Sequence, residues 1–349
     1  MRTQRRNQVI INANDISRMK EKILEFPEQI KQSWKNGKVP LTSLYRKPSQ
    51  ILVCGMGGSA IAGDLLGDLL FGDSMFPVLV NRGYELPRFV NERSLLLISS
   101  YSGNTEETIA AMREGIERKA MIIVFTSNGT IEKMAHEHGL PAITFPQGYP
   151  PRSALGFSFF SMLGFLRQCF NIPVEDTAID DLIELLTSLR ATLQQDNNEI
   201  AILAAQLKER IPLVYISTLL RSVAFRWQTQ INENSKTFIH INVLPEANHN
   251  EIVGLEFPHT LVKKMHLMFL RAPLFENKQI DKRFEITAHI LKNAVGNITT
   301  ICAEGKSKLE QVFTLLYKGD FLSFYLSALL NVDPTPVKRI DELKTKLKQ

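Results

Sequence analysis

Two short stretches of the chain carry residue types that hold anions. Ser99-Ser100-Tyr101-Ser102-Gly103-Asn104-Thr105 follows the apolar run 95–98, and Gly55-Met56-Gly57-Gly58-Ser59 follows the β-type run 51–54. Each then passes into residues with helical spacing, so both read as strand, turn and helix. A parallel strand delivers its carboxyl end to the crevice where open α/β sheets bind ligands. The helix that follows begins with unpaired N–H groups and a positive dipole end. Ser100, Ser102 and Thr105 would ring an anion there, with Ser59 adding a hydroxyl from the companion turn and Gly57 and Gly58 letting backbone come close. The same hydroxyls are ordinary turn formers and N-caps, and spacing leaves both readings open. The glycine turn does not fit G-x-G-x-x-G, and no Gly-Lys-Ser/Thr follows it, so neither a dinucleotide fingerprint nor a P-loop is present.

Such turns need a parallel sheet to carry them, and the chain supplies the pattern twice. Short apolar runs at 51–54, 77–80, 95–99, 121–125 and 142–145 alternate with helical segments, as strands joined by right-handed crossovers do. After Asp196-Asn197-Asn198 the cycle restarts, with strands predicted at 213–216, 240–243, 265–270 and 297–303 and a further hydroxyl turn at Ser217-Thr218. The expectation is an α/β protein of two related subdomains, each a parallel sheet between helical layers (three-layer αβα). Residues 1–36 read as an N-terminal arm and helix, 37–195 as the first subdomain with both anion-type turns, and 196–349 as the second with a closing C-terminal helix. Ile16, Met19, Ile23, Leu24, Phe26 and Ile30 recur at helical spacing to about Trp34, with Pro27 placed to divide that helix.

Composition narrows the class. With 349 residues, 44% hydrophobic and 22% charged, the chain is of ordinary globular type and long enough for two cores. Its 41 basic and 36 acidic residues leave a net charge of +5. No dense basic run interleaved with aromatics argues for nucleic acid, and a small anionic metabolite accounts for the bias equally well. No run of about 18 apolar residues is available to span a bilayer, and no apolar signal core follows Arg2, Arg5 and Arg6, so a cytoplasmic location and no membrane partner are expected. Cys54, Cys169 and Cys302 are far apart, lie in apolar settings and lack ligand spacing; this predicts buried thiols in a reducing compartment and no metal site.

With the turns goes a set of downstream segments. The turns at Gly57-Gly58-Ser59 and Ser100–Thr108 resemble the two phosphosugar-binding turns of sugar isomerase (SIS) domains. More narrowly, Pro151-Arg152-Ser153-Ala154-Leu155-Gly156, Asn232-Glu233-Asn234-Ser235-Lys236, Pro245-Glu246-Ala247-Asn248-His249-Asn250-Glu251-Ile252 and Asp333-Pro334-Thr335-Pro336 look like segments of the bifunctional phosphoglucose/phosphomannose isomerases, from about Asp15 to Lys344. The resemblance implies two SIS-type subdomains, a hexose 6-phosphate substrate and no cofactor. It implies that Gly57, Gly58, Ser59, Ser100, Ser102 and Thr105 bind the phosphate and that Glu233 shuttles a proton between C1 and C2. By the same resemblance Arg152 stabilises the enediolate, and His249, supplied across a homodimer interface, opens the sugar ring with Lys344 as helper. Space around C2, which Thr335 would influence, then decides which epimers are accepted. A non-catalytic sugar-phosphate sensor of the same fold would keep the phosphate turns without needing the acid–base set.

The reaction asks for these residue types. Aldose–ketose isomerisation takes a proton from one carbon and returns it to the next, so one carboxylate suffices. The enediolate is an oxyanion, which a fixed cation stabilises more than it does the ground state, and a guanidinium is always charged. Ring opening moves a proton between oxygens near neutral pH, where histidine titrates. Taken singly, Glu233 is a solvated or capping residue at a helix end, Arg152 an ion-pair partner, Lys344 part of a basic tail and His249 one of 7 histidines. One reaction accounts for all four together.

Overall fold

The structure, a computed structural model, describes residues 18–37, 45–170 and 172–347. The basic N-terminal arm, the start of the helix expected from residue 15, residues 38–44, Asn171, Lys348 and Gln349 lie outside them. Leu24–Leu185 form one compact unit and the remaining described residues a second.

In the first unit five parallel strands, β1 (Gln50–Cys54), β2 (Val78–Asn81), β3 (Ser94–Ser100), β4 (Met121–Thr126) and β5 (Ala142–Thr144), stand in the order β2-β1-β3-β4-β5. The chain leaves β1 toward β2 and returns past it to β3, so the order reverses between β1 and β3. A reversal of this kind opens the ligand crevice beyond the carboxyl ends of the two strands. Both strands are buried along their whole length, which is why they read as continuous apolar runs and not as alternating ones. One face packs Leu52, Leu96, Ile98, Ile122 and Val124 under Ala111 and Met112 of the helix Glu106–Glu117. On the other, Phe125 meets Phe165 of the helix Leu155–Phe170 edge-on, with ring centroids 6.3 Å apart. The predicted division at Pro27 is present. Met19–Leu24 and Phe26–Asn36 are separate helices, and Pro27 sits in the first turn of the second, where its missing N–H leaves nothing unpaired.

The second unit holds four parallel strands, β6 (Ile211–Ser217), β7 (His240–Leu244), β8 (Met265–Arg271) and β9 (Asn297–Cys302), in the order β7-β6-β8-β9. The helix Arg221–Asn234 follows β6, and the helix Lys308–Leu329, buried through most of its length, packs against it. Every strand expected from the sequence is found, but one expected helix is not. Between β7 and β8 the chain makes only the short turns Glu246–His249, Glu251–Gly254 and His259–Val262, because asparagines, Gly254 and Pro258 interrupt any longer run. The burial expected for all three cysteines is full at Cys54, partial at Cys169 and fails at Cys302. Burial pushes the Cys54 and Cys169 thiols up to about 12, whereas Cys302 is exposed. It ends β9, an edge strand whose alternation turns Ile301 inward and Cys302 outward. The closing helix, Lys338–Lys346, buries none of its residues. No helix among the described residues is long and apolar enough to cross a membrane.

One buried group ties this sheet to pH. His266 on β8 is fully buried; its Nε2 lies 2.8 Å from Thr299 Oγ1 of β9, and its Nδ1 has no partner. Burial, with the Arg210 charge adding to it, pushes its pKa down to about 4 from 6.5. The unfolded chain therefore binds a proton that the folded chain refuses between those values. The stabilisation is complete above pH 6.5 and drains away as pH falls toward 4, a loss of about 3 kcal/mol over the whole interval. Urea midpoints measured at pH 7 and pH 5 should fall on acidification, and fall less in His266→Gln; an equal fall in both proteins would remove His266 as the cause.

Candidate active site

Both anion-type turns lie at the carboxyl ends of the neighbouring strands β1 and β3, and neither following helix is capped by a side chain. Met56 precedes the helix Gly57–Leu70 and Thr105 precedes Glu106–Glu117, and no side-chain cap bond is made at either start. The Thr105 hydroxyl lies instead 2.9 Å from Ser100 Oγ, which also accepts the Gly103 N–H at 3.1 Å. These hydroxyls shape the turn, and the side chains at the N-caps of the two helices make no bond to the helix-start N–H groups. In the Ser100–Thr105 pair one hydroxyl proton is used between the two oxygens and the other remains to be offered. Ser102 is exposed and accepts the Asn104 N–H at 3.4 Å, and Ser59 is buried at the start of its helix.

The hydroxyl turn is braced by the turn after β4. Gly103 O accepts from the Ile131 N–H at 3.0 Å, Asn104 Oδ1 from Thr130 N–H and O–H at 3.1 and 2.9 Å, and Tyr101 O from the Ser127 hydroxyl at 2.6 Å. Tyr101 carries the bracing onward. Its hydroxyl, held above its ordinary pKa by burial, donates to Pro146 O at 2.6 Å and accepts the Tyr149 N–H at 3.0 Å. The loop so gripped presents Arg152 on the single turn Pro151–Ser153, which Gln29 Nε2 secures by donating to Ser153 O at 2.9 Å. Gly58 meets this turn directly, since a Cβ there would stand 3.0 Å from Pro151 O and 3.3 Å from Arg152 Cα. The structure thus gathers Gly57, Gly58, Ser59, Ser100, Ser102, Thr105 and Arg152 in one unit. Arg152 is only 6% exposed, so its charge acts where water screens it little. Uncapped helix starts, hydroxyl donors and a guanidinium are the groups from which anion sites are built. Tyr101 and Asn104 were not singled out by sequence reasoning. Their only local signal is that a second polar turn, Ser127-Asn128-Gly129, follows the next strand of the sheet.

In the other unit Glu233 stands half-buried on the last turn of the helix Arg221–Asn234. His249 ends the turn Glu246–His249, and the polar residues on either side of it are tied down. Asn248 Nδ2 donates to Thr287 Oγ1 at 2.9 Å, and Asn250 Nδ2 to Glu246 Oε1 at 2.8 Å. Glu251 accepts from Tyr215 O–H at 3.0 Å, from His240 Nε2 at 2.9 Å and from Asn242 Nδ2. Burial and the Glu251 charge raise the Tyr215 pKa, so the phenol is the donor in that contact. His249 itself is exposed: a titratable ring carried on a turn that side-chain bonds fix. Thr335 lies in a loop closed by its N–H to Asp333 Oδ1 at 3.0 Å, and Lys344 is exposed on the closing helix. Glu233, His249 and Lys344 therefore occupy three separate elements of this unit.

The sequence profile of the bacterial phospho-glucose isomerase C-terminal SIS domain matches residues 196–347. The bifunctional phosphoglucose/phosphomannose isomerase of Caldicellulosiruptor bescii is 37% identical over 335 residues, which cover 94% of this chain and 98% of that protein. The protein of the same description from Aquifex aeolicus is 35% identical over 303 residues, 86% of this chain and 90% of that one. Among solved structures, the tagatose-6-phosphate ketose/aldose isomerase from Escherichia coli matches with a TM-score of 0.69 over 90% of this chain and 94% of its own, at 16% identity. At that identity the likeness is one of fold, and the fold is the pair of SIS-type α/β units that the sequence implies.

Proposed function

Because the chain belongs to the bifunctional phosphoglucose/phosphomannose isomerases, and is therefore an isomerase, we propose that it interconverts glucose 6-phosphate and/or mannose 6-phosphate with fructose 6-phosphate through an enediolate. The observation that carries this reading is the pair of uncapped helix starts with their hydroxyls at the β1–β3 reversal, in a chain alike over nearly its whole length to proteins of that description. Helix-start N–H groups with Ser59, Ser100, Ser102 and Thr105 hold the phosphate. Glu233 takes the proton from one of C1 and C2 and returns it to the other. Arg152 stabilises the negative oxygen of the intermediate, and His249, with Lys344, moves the proton that opens the ring.

A homodimer in which His249 serves the partner's substrate fits its surroundings. The ring is exposed, and beside it in sequence Val253 and Phe257 are 65% and 70% exposed. The helix Lys278–Leu291, bonded to the His249 segment through Thr287, leaves Ile286 and Ile290 open as well. Exposed apolar side chains on both of these elements favour a second chain as their cover. The purified protein, assayed side by side on glucose 6-phosphate and mannose 6-phosphate, should form fructose 6-phosphate from at least one of them. Tight binding of either sugar phosphate with no turnover would replace the isomerase by a sensor.

A further inference from the structure

Glu233 is held from two sides by neighbours in its own segment. On the inner side Asn234 is fully buried, and its Nδ2 donates to Gln230 Oε1 at 3.0 Å, one turn back, and to Ser323 Oγ at 2.9 Å on the helix Lys308–Leu329. The Ser323 hydroxyl donates to Asp320 O at 2.7 Å, which leaves its oxygen as the acceptor Asn234 needs. One turn before Gln230, Arg226 meets Asp320 through two parallel bonds, Nε to Oδ1 at 3.0 Å and a terminal nitrogen to Oδ2 at 2.9 Å, both residues buried. Residues 226, 230 and 234 recur every four positions, so they form one stripe of the helix, and the stripe faces Asp320 and Ser323. Apolar side chains of similar volume would hold two helices together at least as well as a buried ion pair does. What the polar stripe adds is direction and register, since each bond is satisfied at one axial offset of the helices and broken one turn away.

On the outer side Lys236 follows the helix in the left-handed region, with φ +57. Its ammonium reaches back to donate to Glu233 O and, at 3.0 Å, to Pro334 O. The helix end is thereby strapped to the loop Asp333-Pro334-Thr335-Pro336.

We propose that Asn234 and Lys236 are positioning residues for Glu233. Asn234, through Ser323 and the Arg226–Asp320 pair, sets the axial register of the helix end, and Lys236 fixes the Glu233 peptide against Pro334. This rests on Glu233 being the base. A single carboxylate that must reach both C1 and C2 tolerates little displacement, and a shift of about 1 Å costs on the order of 100-fold in rate.

The test uses the full-length enzyme. Lys236 is exposed, so Lys236→Met should fold; kcat on hexose 6-phosphate should fall roughly 10- to 100-fold with KM within about twofold. Lys236→Arg, which keeps a cationic donor, should recover most of the loss. Ser323→Ala, which removes the acceptor from Asn234, should show the same kcat-selective loss. In a Glu233→Gln background neither substitution should lower the residual rate further. A raised KM with kcat intact would make Lys236 a substrate contact, and unchanged kinetics, or a stability loss alone in Ser323→Ala, would also overturn the proposal. So would losses that multiply with that of Glu233→Gln. A fully active Glu233→Gln enzyme would instead retire the base assignment, whatever Lys236→Met does.

Discussion

Glu233→Gln should lose turnover by on the order of 10²- to 10⁴-fold, the range that a positioned general base contributes, while hexose 6-phosphate still binds. The amide has the shape of the carboxylate but cannot take up the C–H proton. Bonds that place residue 233 run through its neighbours and its backbone, from Asn234 to Ser323 and from Lys236 to the Glu233 carbonyl and Pro334, and the substitution keeps them. The hydroxyls proposed to hold the phosphate, those of Ser59, Ser100, Ser102 and Thr105, belong to other elements. Turnover by coupled assay and affinity by calorimetry with fructose 6-phosphate separate the two quantities, and a variant with both intact would remove Glu233 from the chemistry. The same substitution tests the origin of the histidine. Mixed and refolded chains carrying Glu233→Gln and His249→Gln should regain activity if each subunit lends its histidine to the other, because one site of the hybrid then holds both wild-type residues. No recovery on mixing would place His249 with the Glu233 of its own chain.

The strands were legible because strands buried on both faces are written as unbroken apolar runs between glycine and hydroxyl turns; Leu95–Ile98 in β3 needs no partner to be recognised. The missing helix between β7 and β8 was not, since the His249 segment is fixed by pairs far apart in sequence, Tyr215 with Glu251 and Asn248 with Thr287, and local spacing carries no trace of them. The exposure of Cys302 follows from β9 being an edge, a fact of sheet order. The two strand–turn–helix segments after β1 and β3 could be read from their own residues. The contact that brings Arg152 to the glycine turn could not, because it depends on the approach of Gly58 to Pro151. Glu233, His249 and Lys344 carry no local signature of chemistry, and only the likeness of their segments to known isomerases singles them out.

One added methyl at Gly103 should disable the hydroxyl turn without removing any hydroxyl. Gly103 has φ +67, a region that costs an alanine about 1–2 kcal/mol. That strain is the smaller part. A Cβ at this position would stand 1.6 Å from Asn128 O, and this oxygen belongs to backbone, so no side-chain rotation relieves the clash. The two turns would have to part, against the bonds of Ile131 to Gly103, Thr130 to Asn104 and Ser127 to Tyr101, each worth about 1 kcal/mol. Because the Gly103 N–H also holds Ser100 Oγ, the Ser100–Thr105 pair would move with it. Gly103→Ala should therefore raise KM for hexose 6-phosphate by at least about tenfold and lower stability by roughly 3 kcal/mol. Gly139→Ala is the control that isolates the clash. Gly139 has φ +60 with nothing within 4 Å of its would-be Cβ, so the strain is the same and the collision is absent, and its place past the carboxyl end of the helix Thr130–Glu137 leaves KM alone. If the two variants bind hexose 6-phosphate equally well, the bracing of the hydroxyl turn against Asn128 does not matter to phosphate binding.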